Sequence, residues 1–256
     1  MIKKVLTIAL VFLSLITVFG CQKTEPNPYD QYRDSYPQHD IYYQIFVRSF
    51  ADSNGDGIGD LNGITENMAY FRELGITALW LLPIHPSPSY HGYDVLDYYA
   101  INPEYGTMDD FENLIKISEE NGIKIVIDLV INHTSDQHPW YLDARSSVTS
   151  DYRDYYIWNQ GHAFESFVGG MKDLNFTNPN VIQEMKDLMD FYLEKGVHGF
   201  RIDAAKHLIE SRNPTFDNAF LLLDFNQHIK ESHPNSFIVS EVFDYFYPMT
   251  AEYYIG

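Results

Sequence analysis

Three acidic residues of this chain each follow a short run of β-branched and apolar residues, and this recurrence constrains the fold most. Asp128 ends the run IKIVID, Asp203 follows GFRI, and Glu241 follows SFIVS. Short apolar runs rich in isoleucine and valine predict buried β-strands. Parallel strands present the residues at their carboxyl ends at one edge of a sheet, where (β/α)8 barrels place their catalytic groups. The pattern therefore predicts an α/β fold that brings three carboxyl groups to one edge of one sheet.

Predicted strands and helices alternate along the chain from residue 40 onward. Strands are predicted at residues 40–50, 76–84, 123–130, 198–203 and 236–243, and helices at 64–75, 108–122, 180–196 and 215–232. This alternation predicts a parallel sheet. A (β/α)8 barrel has eight strands and typically takes about 250 residues, so five strands predict an incomplete TIM barrel. We therefore expect the 256 residues to be the N-terminal part of a longer enzyme, and to be unstable or nearly inactive alone.

The spacing of the acids predicts an insertion after the third strand. Asp203 and Glu241 are 38 positions apart, which is a normal βα repeat, but Asp128 and Asp203 are 75 positions apart. Residues 132–178 are polar and aromatic without helix or strand periodicity, so they predict a small inserted domain above the catalytic edge. The barrel would then comprise residues 39–131 and 179–256.

The N-terminus predicts export and a lipid anchor. Two lysines precede the apolar run Val5–Phe19, which is shorter than the ~20 residues of a membrane-spanning helix, so residues 1–20 are a predicted secretory signal. The only cysteine, Cys21, is the predicted lipidation site of a bacterial lipoprotein, with an incidental cysteine as the alternative. Residues 21–38 contain three prolines and predict a tether. The protein would be secreted across the bacterial cytoplasmic membrane and held to it only through the lipid.

The composition limits the partners of the protein. The formal net charge of −19 becomes −21 without residues 1–20, because these hold two lysines and no acid. Such a surface repels nucleic acid, so no nucleic-acid partner is expected. The aromatic content of 16% argues against disorder. The charge suits neutral or cationic ligands such as sugars and Ca²⁺, although solubility alone would also explain it, and it predicts no oligomeric state.

Several segments carry a resemblance to a known family. DLVINHTS, GFRIDAAKH and SEVFD resemble the first three conserved regions of the α-amylase family of glycoside hydrolases, and the likeness extends to LWLLPIHPSPSYHGYDVLDYYAINPEYGT and MKDLNF. The resemblance implies a TIM barrel that hydrolyses α-1,4-glucosidic bonds of starch or maltodextrins with retention. An α-glucosidase, cyclomaltodextrinase or 4-α-glucanotransferase of the same family stays open. A non-catalytic surface protein that binds carbohydrate or Ca²⁺ is the alternative from another class.

The chemistry of the implied reaction explains the residue types at the strand ends. Retaining hydrolysis needs a carboxylate nucleophile and a protonated carboxylic acid about 5 Å apart. Asp203 is the candidate nucleophile, because Arg201 lies two residues away on the same strand face and would keep it ionised. Glu241 is the candidate acid, and burial after an apolar strand would retain its proton. A structural Arg–Asp pair is the alternative for Arg201 and Asp203.

The resemblance also assigns supporting roles. Asp128 would be a structural acid that organises the site, including Arg201. Tyr93 would stack on the sugar at the point of cleavage, although a packed loop tyrosine is the alternative. The substrate-binding residues would be Tyr93, Asp94, His133, Lys206 and His207.

The segment DSNGDGIGD predicts a Ca²⁺ loop. Positions 1, 3, 5, 7 and 9 of such a loop are occupied by Asp52, Asn54, Asp56, the carbonyl of Ile58, and Asp60. Position 12 is a glycine instead of the glutamate of an EF-hand, so a calcium sensor is not predicted. A turn without metal is the alternative.

A second Ca²⁺ between the barrel and the inserted domain is implied by the resemblance alone. Its ligands would be Asn132, Asp173 and the backbone of His207. A further acid is expected among Asp143, Asp151, Asp154 and Glu165.

Overall fold

The computed structural model describes residues 40–167, 169–212 and 214–242. The predicted signal at residues 1–20, the lipidation site Cys21 and the tether at residues 21–38 lie outside the described residues. In the part that is described, no helix is both long enough and apolar enough to cross a membrane.

The described chain alternates strands with helices. The strands are β1 (Tyr42–Ile45), β2 (Ala78–Leu81), β3 (Lys124–Leu129), β4 (His133–Ser135), β5 (Trp158–Asn159), β6 (His162–Ala163), β7 (Met171–Asp173), β8 (Gly199–Ile202) and β9 (Phe237–Ser240). The helices are α1 (Leu61–Glu66), α2 (Met68–Glu73), α3 (Met108–Glu120), α4 (Pro139–Ser146), α5 (Pro179–Glu194) and α6 (Pro214–Ser232). Short 3₁₀ turns occupy Val47–Ser49, Arg153–Tyr155 and Ala205–His207.

Five of these strands form one parallel sheet, in the order β1-β2-β3-β8-β9. All four pairings between neighbours are parallel, which confirms the prediction from the alternation. Asp128 at the end of β3 lies opposite Arg201 on β8. Because every strand of the sheet runs the same way, the three predicted strand-end acids leave the sheet at the same edge.

The helices between the strands bury their apolar faces against this sheet. α3 begins with a capping box, in which the Thr107 hydroxyl accepts from the Asp110 N–H and the Asp110 carboxylate accepts from the Thr107 N–H. Its apolar positions Phe111, Leu114 and Ile115 recur at helical spacing and are buried in the core. This core holds the strands in register and so fixes the positions of the strand ends.

Two predicted elements differ from the sequence pattern, since one is divided and the other is shorter. The helix predicted at residues 64–75 is two helices, because the Asn67 side chain donates to the Gly63 carbonyl and its backbone leaves helical geometry. The strand predicted at residues 40–50 ends at Ile45, where a 3₁₀ turn begins within two residues. That early turn directs the chain into the predicted Ca²⁺ loop.

The predicted insertion at residues 132–178 folds outside the main sheet. β4 and β7 form one antiparallel pair, with His133 opposite Asp173, and β5 and β6 form another. Aromatic packing fills the space between them, with Tyr141 edge-on to Tyr156 and stacked on Trp158. Because β4 follows β3 after only three residues, this region extends directly from the carboxyl edge of the sheet.

Candidate active site

Arg201 joins the three strand-end acids into one cluster. Its Nη1 donates to Asp128 Oδ1 and to Asp203 Oδ1, each at 2.7 Å. Its Nη2 lies 2.7 Å from Glu241 Oε1. The structure therefore brings together all four residues that the sequence places at the catalytic edge.

Burial controls the protonation of the two aspartates. It raises the pKa of Asp203 to about 6 and the pKa of Asp128 to about 7, while the nearby Arg201 opposes both shifts. The expectation that Arg201 keeps Asp203 ionised is therefore only partly met, since burial outweighs the ion pair. Asp203 still carries its charge above about pH 6.

Glu241 differs from the expectation that the acid is buried. Its side chain is 50% exposed and faces Arg201. The reason is its place directly after β9, the last strand of the described sheet, where no described neighbour covers the outer side.

The turn after Asp203 contributes a feature that the sequence does not reveal. Ala204 has the left-handed backbone angles φ 50° and ψ 35°, which are uncommon for a residue with a side chain. This turn directs the Ala204 N–H to Glu241 Oε2 at 3.1 Å, and the Ala205 N–H to the Glu241 carbonyl at 3.2 Å. The backbone next to the candidate nucleophile thereby holds the candidate acid.

Trp80 is a second residue that the sequence reading missed. The Arg201 guanidinium lies 5.3 Å from the centre of the Trp80 ring, a cation–π contact that supports the guanidinium from below. The alternation of side chains along β2 is the signal that would have found it, since Trp80 points to the opposite face from Leu79 and Leu81. Trp80, Arg201 and Glu241 line a cavity of about 840 Å³ that extends over one face of the sheet, from Tyr42 and Phe237 at the amino ends of β1 and β9 to Glu241.

Tyr93 reaches the cluster from the loop after β2. Its hydroxyl donates to Asp128 Oδ2 at 3.2 Å. His133 holds the loop, because its Nε2–H donates to the Tyr93 carbonyl at 3.0 Å and its Nδ1 lies 3.2 Å from Asn132 Nδ2. Burial lowers the pKa of His133 to about 4, so the ring is neutral. Both ring nitrogens of His133, which is predicted to bind the sugar, therefore already contact protein atoms.

The other predicted substrate-binding residues lie around the same edge. Asp94 is buried and accepts from the hydroxyls of Ser87 and Ser89, so its carboxylate holds the loop in shape. Lys206 and His207 form the 3₁₀ turn that follows Ala204. The His207 ring lies 3.0 Å from Glu210 Oε1.

The predicted Ca²⁺ loop is folded around its own acidic side chains. Asp52 accepts from the N–H groups of Gly55 and Gly57, each at 2.7 Å, and these bonds lower its pKa. Asn54 and Asp56 each accept from the N–H two residues later. These turns hold the oxygen-bearing side chains at the surface of one loop.

The donor set of this loop fits a hard cation. None of the ion pairs among the described residues involves Asp52, Asp56 or Asp60, so their charge is uncompensated. Asp60 is buried and caps α1 by accepting from the Gly63 N–H at 2.7 Å. No three histidine, cysteine or acidic side chains converge within the described ranges. Carboxylate oxygens would therefore need Asn54 and the Ile58 carbonyl to complete a Ca²⁺ site.

The second predicted Ca²⁺ site has one feature that fits and one that does not. Asn132 Oδ1 is buried and has no hydrogen-bond partner, as expected of an atom that faces an ion. Both carboxylate oxygens of Asp173, however, accept from Ser166, through its N–H at 3.0 Å and its hydroxyl at 2.5 Å. Burial raises the pKa of Asp173.

Comparisons with known proteins agree with this geometry. The family model of the alpha-amylase catalytic domain matches residues 44–166 and 162–255. Alpha-amylase 3 of Dictyoglomus thermophilum is 48% identical over 240 residues, which cover 88% of this chain and 47% of that protein. Oligo-1,6-glucosidase of Parageobacillus thermoglucosidasius is 43% identical over 190 residues, which cover 64% of this chain and 34% of that protein.

Solved structures give the same result at the level of the fold. The crystal structure of alpha-amylase from H. orenii superimposes with a TM-score of 0.74 at 41% identity, covering 82% of this chain and 48% of that one. Eubacterium rectale Amy13B gives a TM-score of 0.78 at 35% identity, covering 90% of this chain and 50% of that one. The chain thus spans about half the length of these two structures and of alpha-amylase 3, and about a third of the oligo-1,6-glucosidase. Its five parallel strands are part of a (β/α)8 barrel, as predicted. The resemblance seen in the strand-end motifs is confirmed, and the chain belongs to the alpha-amylase family of glycoside hydrolases.

Proposed function

We propose that this protein hydrolyses α-1,4-glucosidic bonds in starch or maltodextrins and retains the configuration of the anomeric carbon. The observation that carries the proposal is the convergence of Asp203, Glu241 and Asp128 on Arg201 at the carboxyl edge of the sheet. The names of the relatives support the substrate class, since they include an alpha-amylase and glucosidases.

In the proposed mechanism, Asp203 attacks the anomeric carbon. A carbon–oxygen bond forms to its carboxylate while the glycosidic bond breaks, and Glu241 donates a proton to the departing oxygen. A water molecule then gives its proton to Glu241 and attacks the same carbon, which frees Asp203. The buried side chain of Asp203 is suited to the first role, because it keeps its charge above about pH 6.

Glu241 acquires its acid role when a glucan covers it. Among the described residues its carboxylate is half exposed and accepts from Arg201 and the Ala204 N–H. A bound sugar would exclude water from this side of β9, and exclusion of water favours the protonated form of a carboxyl group. Arg201 remains bound to Asp128 and Asp203 through its other nitrogen.

An α-glucosidase is the second candidate function. Maltase A1 of Drosophila melanogaster is 44% identical over 204 residues, and this similarity is close to that of the oligo-1,6-glucosidase. Cyclomaltodextrinases and 4-α-glucanotransferases would use the same three carboxyl groups. The length and linkage of the preferred substrate separate these activities.

The test is hydrolysis by the full-length protein. We expect release of short oligosaccharides from amylose and maltoheptaose, with the α-anomer as the first product by proton NMR, and little action on isomaltose. Asp203→Asn should remove the activity. Glucose as the first product of maltose or isomaltose would favour the glucosidase instead. Binding of maltoheptaose without cleavage by the unaltered protein would favour the non-catalytic carbohydrate-binding alternative.

The metal and the anchor are parts of the same proposal. A Ca²⁺ ion held by Asp52, Asn54, Asp56, the Ile58 carbonyl and Asp60 would stabilise the loop after β1. The absence of a basic partner for the three aspartates among the described ion pairs supports this assignment. An anchor at Cys21 is supported by the apolar run that precedes it. Incorporation of labelled palmitate that is lost in Cys21→Ser tests the anchor, and equal labelling of both proteins would reject it.

A further inference from the structure

We propose that Tyr90 and the cleft beside it form an outer subsite that binds glucosyl units of an α-glucan beyond the catalytic carboxyl groups. This inference rests on the proposed hydrolysis of α-glucans and adds a binding surface to it. Three observations carry it: an exposed ring that is linked to Asp128 through His91 and Tyr93, a loop that holds this ring in place, and a cleft of mixed chemistry next to it.

The Tyr90 ring lies at the outer end of a row of rings that leads to the catalytic acids. Its side chain is 70% exposed, although it contacts the His91 ring edge-on at 5.6 Å. His91 in turn stacks on Tyr93 at 6.0 Å, and the Tyr93 hydroxyl donates to Asp128. An aromatic side chain gives a large contact area at a small cost in conformational entropy. The three rings are therefore contiguous, and the exposed Tyr90 ring at the outer end is free to contact a sugar ring.

The loop that carries Tyr90 is held in shape by its own hydrogen bonds. The buried carboxylate of Asp94 accepts from the hydroxyls of Ser87 and Ser89, on the residues just before Tyr90. The Leu96 N–H donates to the Pro86 carbonyl at 2.8 Å and closes the loop. A ring that is fixed before binding loses little freedom on binding, which favours affinity. Asp94 therefore acts on the substrate through the loop that presents Tyr90.

The cleft beside Tyr90 has the chemistry of a sugar site. It measures about 360 Å³, within the range of ligand pockets, and it lies between this loop and the segments that carry Arg48 and Glu104. Pro88 and Pro103 line it with rigid apolar surface. Arg48 and Glu104 form an ion pair at its wall, so a donor and an acceptor group stand next to each other. A neutral polyhydroxy ligand uses both groups, whereas an anionic one would meet Glu104 and the acidic surface of the protein.

The experiment compares maltooligosaccharide binding in the full-length protein with the Glu241→Gln change present, so that cleavage does not consume the ligand. Calorimetric titration of maltoheptaose should give a Kd about tenfold higher in Tyr90→Ala, and within twofold of the parent in Tyr90→Phe, which keeps the ring. The control is Phe220→Ala, which removes another ring of high exposure, 67%, on the outward side of α6. Maltotriose should lose less affinity than maltoheptaose in Tyr90→Ala, because the shorter chain fills the inner subsites first.

Two results would overturn the outer subsite. One is an equal maltoheptaose Kd in Tyr90→Ala and Phe220→Ala. The other is an equal loss of affinity for maltotriose and maltoheptaose, which would mean that Tyr90 acts only by supporting Tyr93. A parent protein that neither binds nor cleaves any α-glucan would instead contradict the proposed function, so the two failures are distinguishable.

Discussion

At the scale of single residues, one guanidinium organises the whole site. Arg201 contacts three carboxyl groups, so the cluster formed by Arg201, Asp128, Asp203 and Glu241 carries more negative than positive charge when all its acids are ionised. Burial and mutual repulsion raise the pKa of Asp203, while Arg201 opposes the shift. At neutral pH Asp203, the proposed nucleophile, is therefore ionised although burial disfavours its charge, and this affects both activity and stability.

Glu241→Gln should abolish cleavage and leave maltodextrin binding intact. Glutamine keeps one acceptor oxygen, for either Arg201 or the Ala204 N–H, and has no acidic proton to donate. Loss of a general acid costs about 10²–10⁴-fold in rate. Steady-state kinetics and titration with maltoheptaose measure the two effects separately. Glu112→Gln, in the surface pair with Lys195, is the matched control and should keep normal turnover. Near-normal turnover of Glu241→Gln would reject the assignment of the acid.

Asp203→Asn should remove activity and stabilise the fold at neutral pH. Because the pKa of Asp203 is raised from 3.8 to about 6, the folded state binds more protons than the unfolded state between these values, and stability falls as pH rises through this window. The neutral amide avoids that loss, so the variant should gain about 3 kcal/mol above pH 6.5. At pH 3.5 the aspartate is protonated in the fold as well, and the gain should vanish.

Urea unfolding of both proteins at pH 7.5 and pH 3.5 measures this difference. The matched control is Asp217→Asn on α6, in contact with Ser211, which should show no comparable gain at pH 7.5. An Asp203→Asn protein that is less stable than the unaltered protein at pH 7.5 would mean that the ion pair with Arg201 outweighs burial.

At the scale of elements, the strands bring the acidic residues to one edge of the sheet, and the segments that follow the strands fix the positions of the side chains there. The turn after β8 places Ala204 in the left-handed region, and its N–H reaches Glu241 on the neighbouring strand. The loop after β2 is tied by His133 to the inserted region. The loop after β1 holds its acids by side-chain bonds to its own backbone. Each of these segments begins within a few residues of a strand end, so small changes in a turn move a catalytic group.

Removal of calcium should destabilise the loop between Asp52 and Asp60 and lower the Tm of the whole protein. An ion bound only by the folded state stabilises it by about 2.7 kcal/mol when its concentration is 100 times its Kd. Asp56→Asn keeps the oxygen that accepts from the Ile58 N–H but loses the charge, so the calcium-dependent part of the Tm should shrink. Thermal unfolding with calcium and with EDTA measures both effects. Identical Tm values under the two conditions would reject a structural ion.

Asp60→Asn separates the metal from the helix cap at the same loop. Asp60 caps α1, and asparagine is an equally good N-cap. Asparagine keeps the oxygen that accepts from the Gly63 N–H but loses the one that accepts from the Ser53 N–H. The Tm in EDTA should therefore fall by a few degrees at most, and the response to calcium should fall as well. A large loss of stability in EDTA would show that the Asp60 charge supports the loop without a metal.

At the scale of the whole molecule, the sequence predicts the sheet better than it predicts the surroundings of the site. The hydrophobic runs around Ile127, Ile202 and Ile238 predict β3, β8 and β9, because burial in a parallel sheet leaves a readable pattern. The half-exposed position of Glu241 is not predictable, since exposure depends on which strands flank β9. The left-handed turn at Ala204 is not predictable either, because alanine gives no signal of a positive φ. The local hydrophobic pattern therefore predicts the strands, whereas contacts between residues distant in the sequence determine the exposure of a side chain.

Burial also determines how the stability of the molecule responds to acid. Burial lowers the pKa of His85, His133 and His138 from 6.5 to about 4, so each is neutral in the fold. Between these values the unfolded state binds more protons, and stability is lost as pH falls from about 6.5 to 4. Asp128 and Asp203 act in the opposite direction, because their raised pKa values favour the fold as pH falls. Burial also lowers the pKa of His198 and raises the pKa of Asp173, so four destabilising groups against three stabilising ones predict a net loss of stability over this range.

His138→Asn tests this balance with one substitution. The Nδ1 of His138 accepts from the Trp140 N–H at 3.1 Å and caps α4, and asparagine can make the same N-cap without taking up a proton. The lost ring contacts with Tyr98 and Trp140 should lower stability at pH 7.5, but the further loss down to pH 4 should be smaller by about 2–3 kcal/mol. Urea unfolding across this pH range measures the slope, and the exposed His162→Asn is the control. A slope equal to that of the unaltered protein would mean that His138 is not neutral in the fold, and that acid sensitivity comes from other groups.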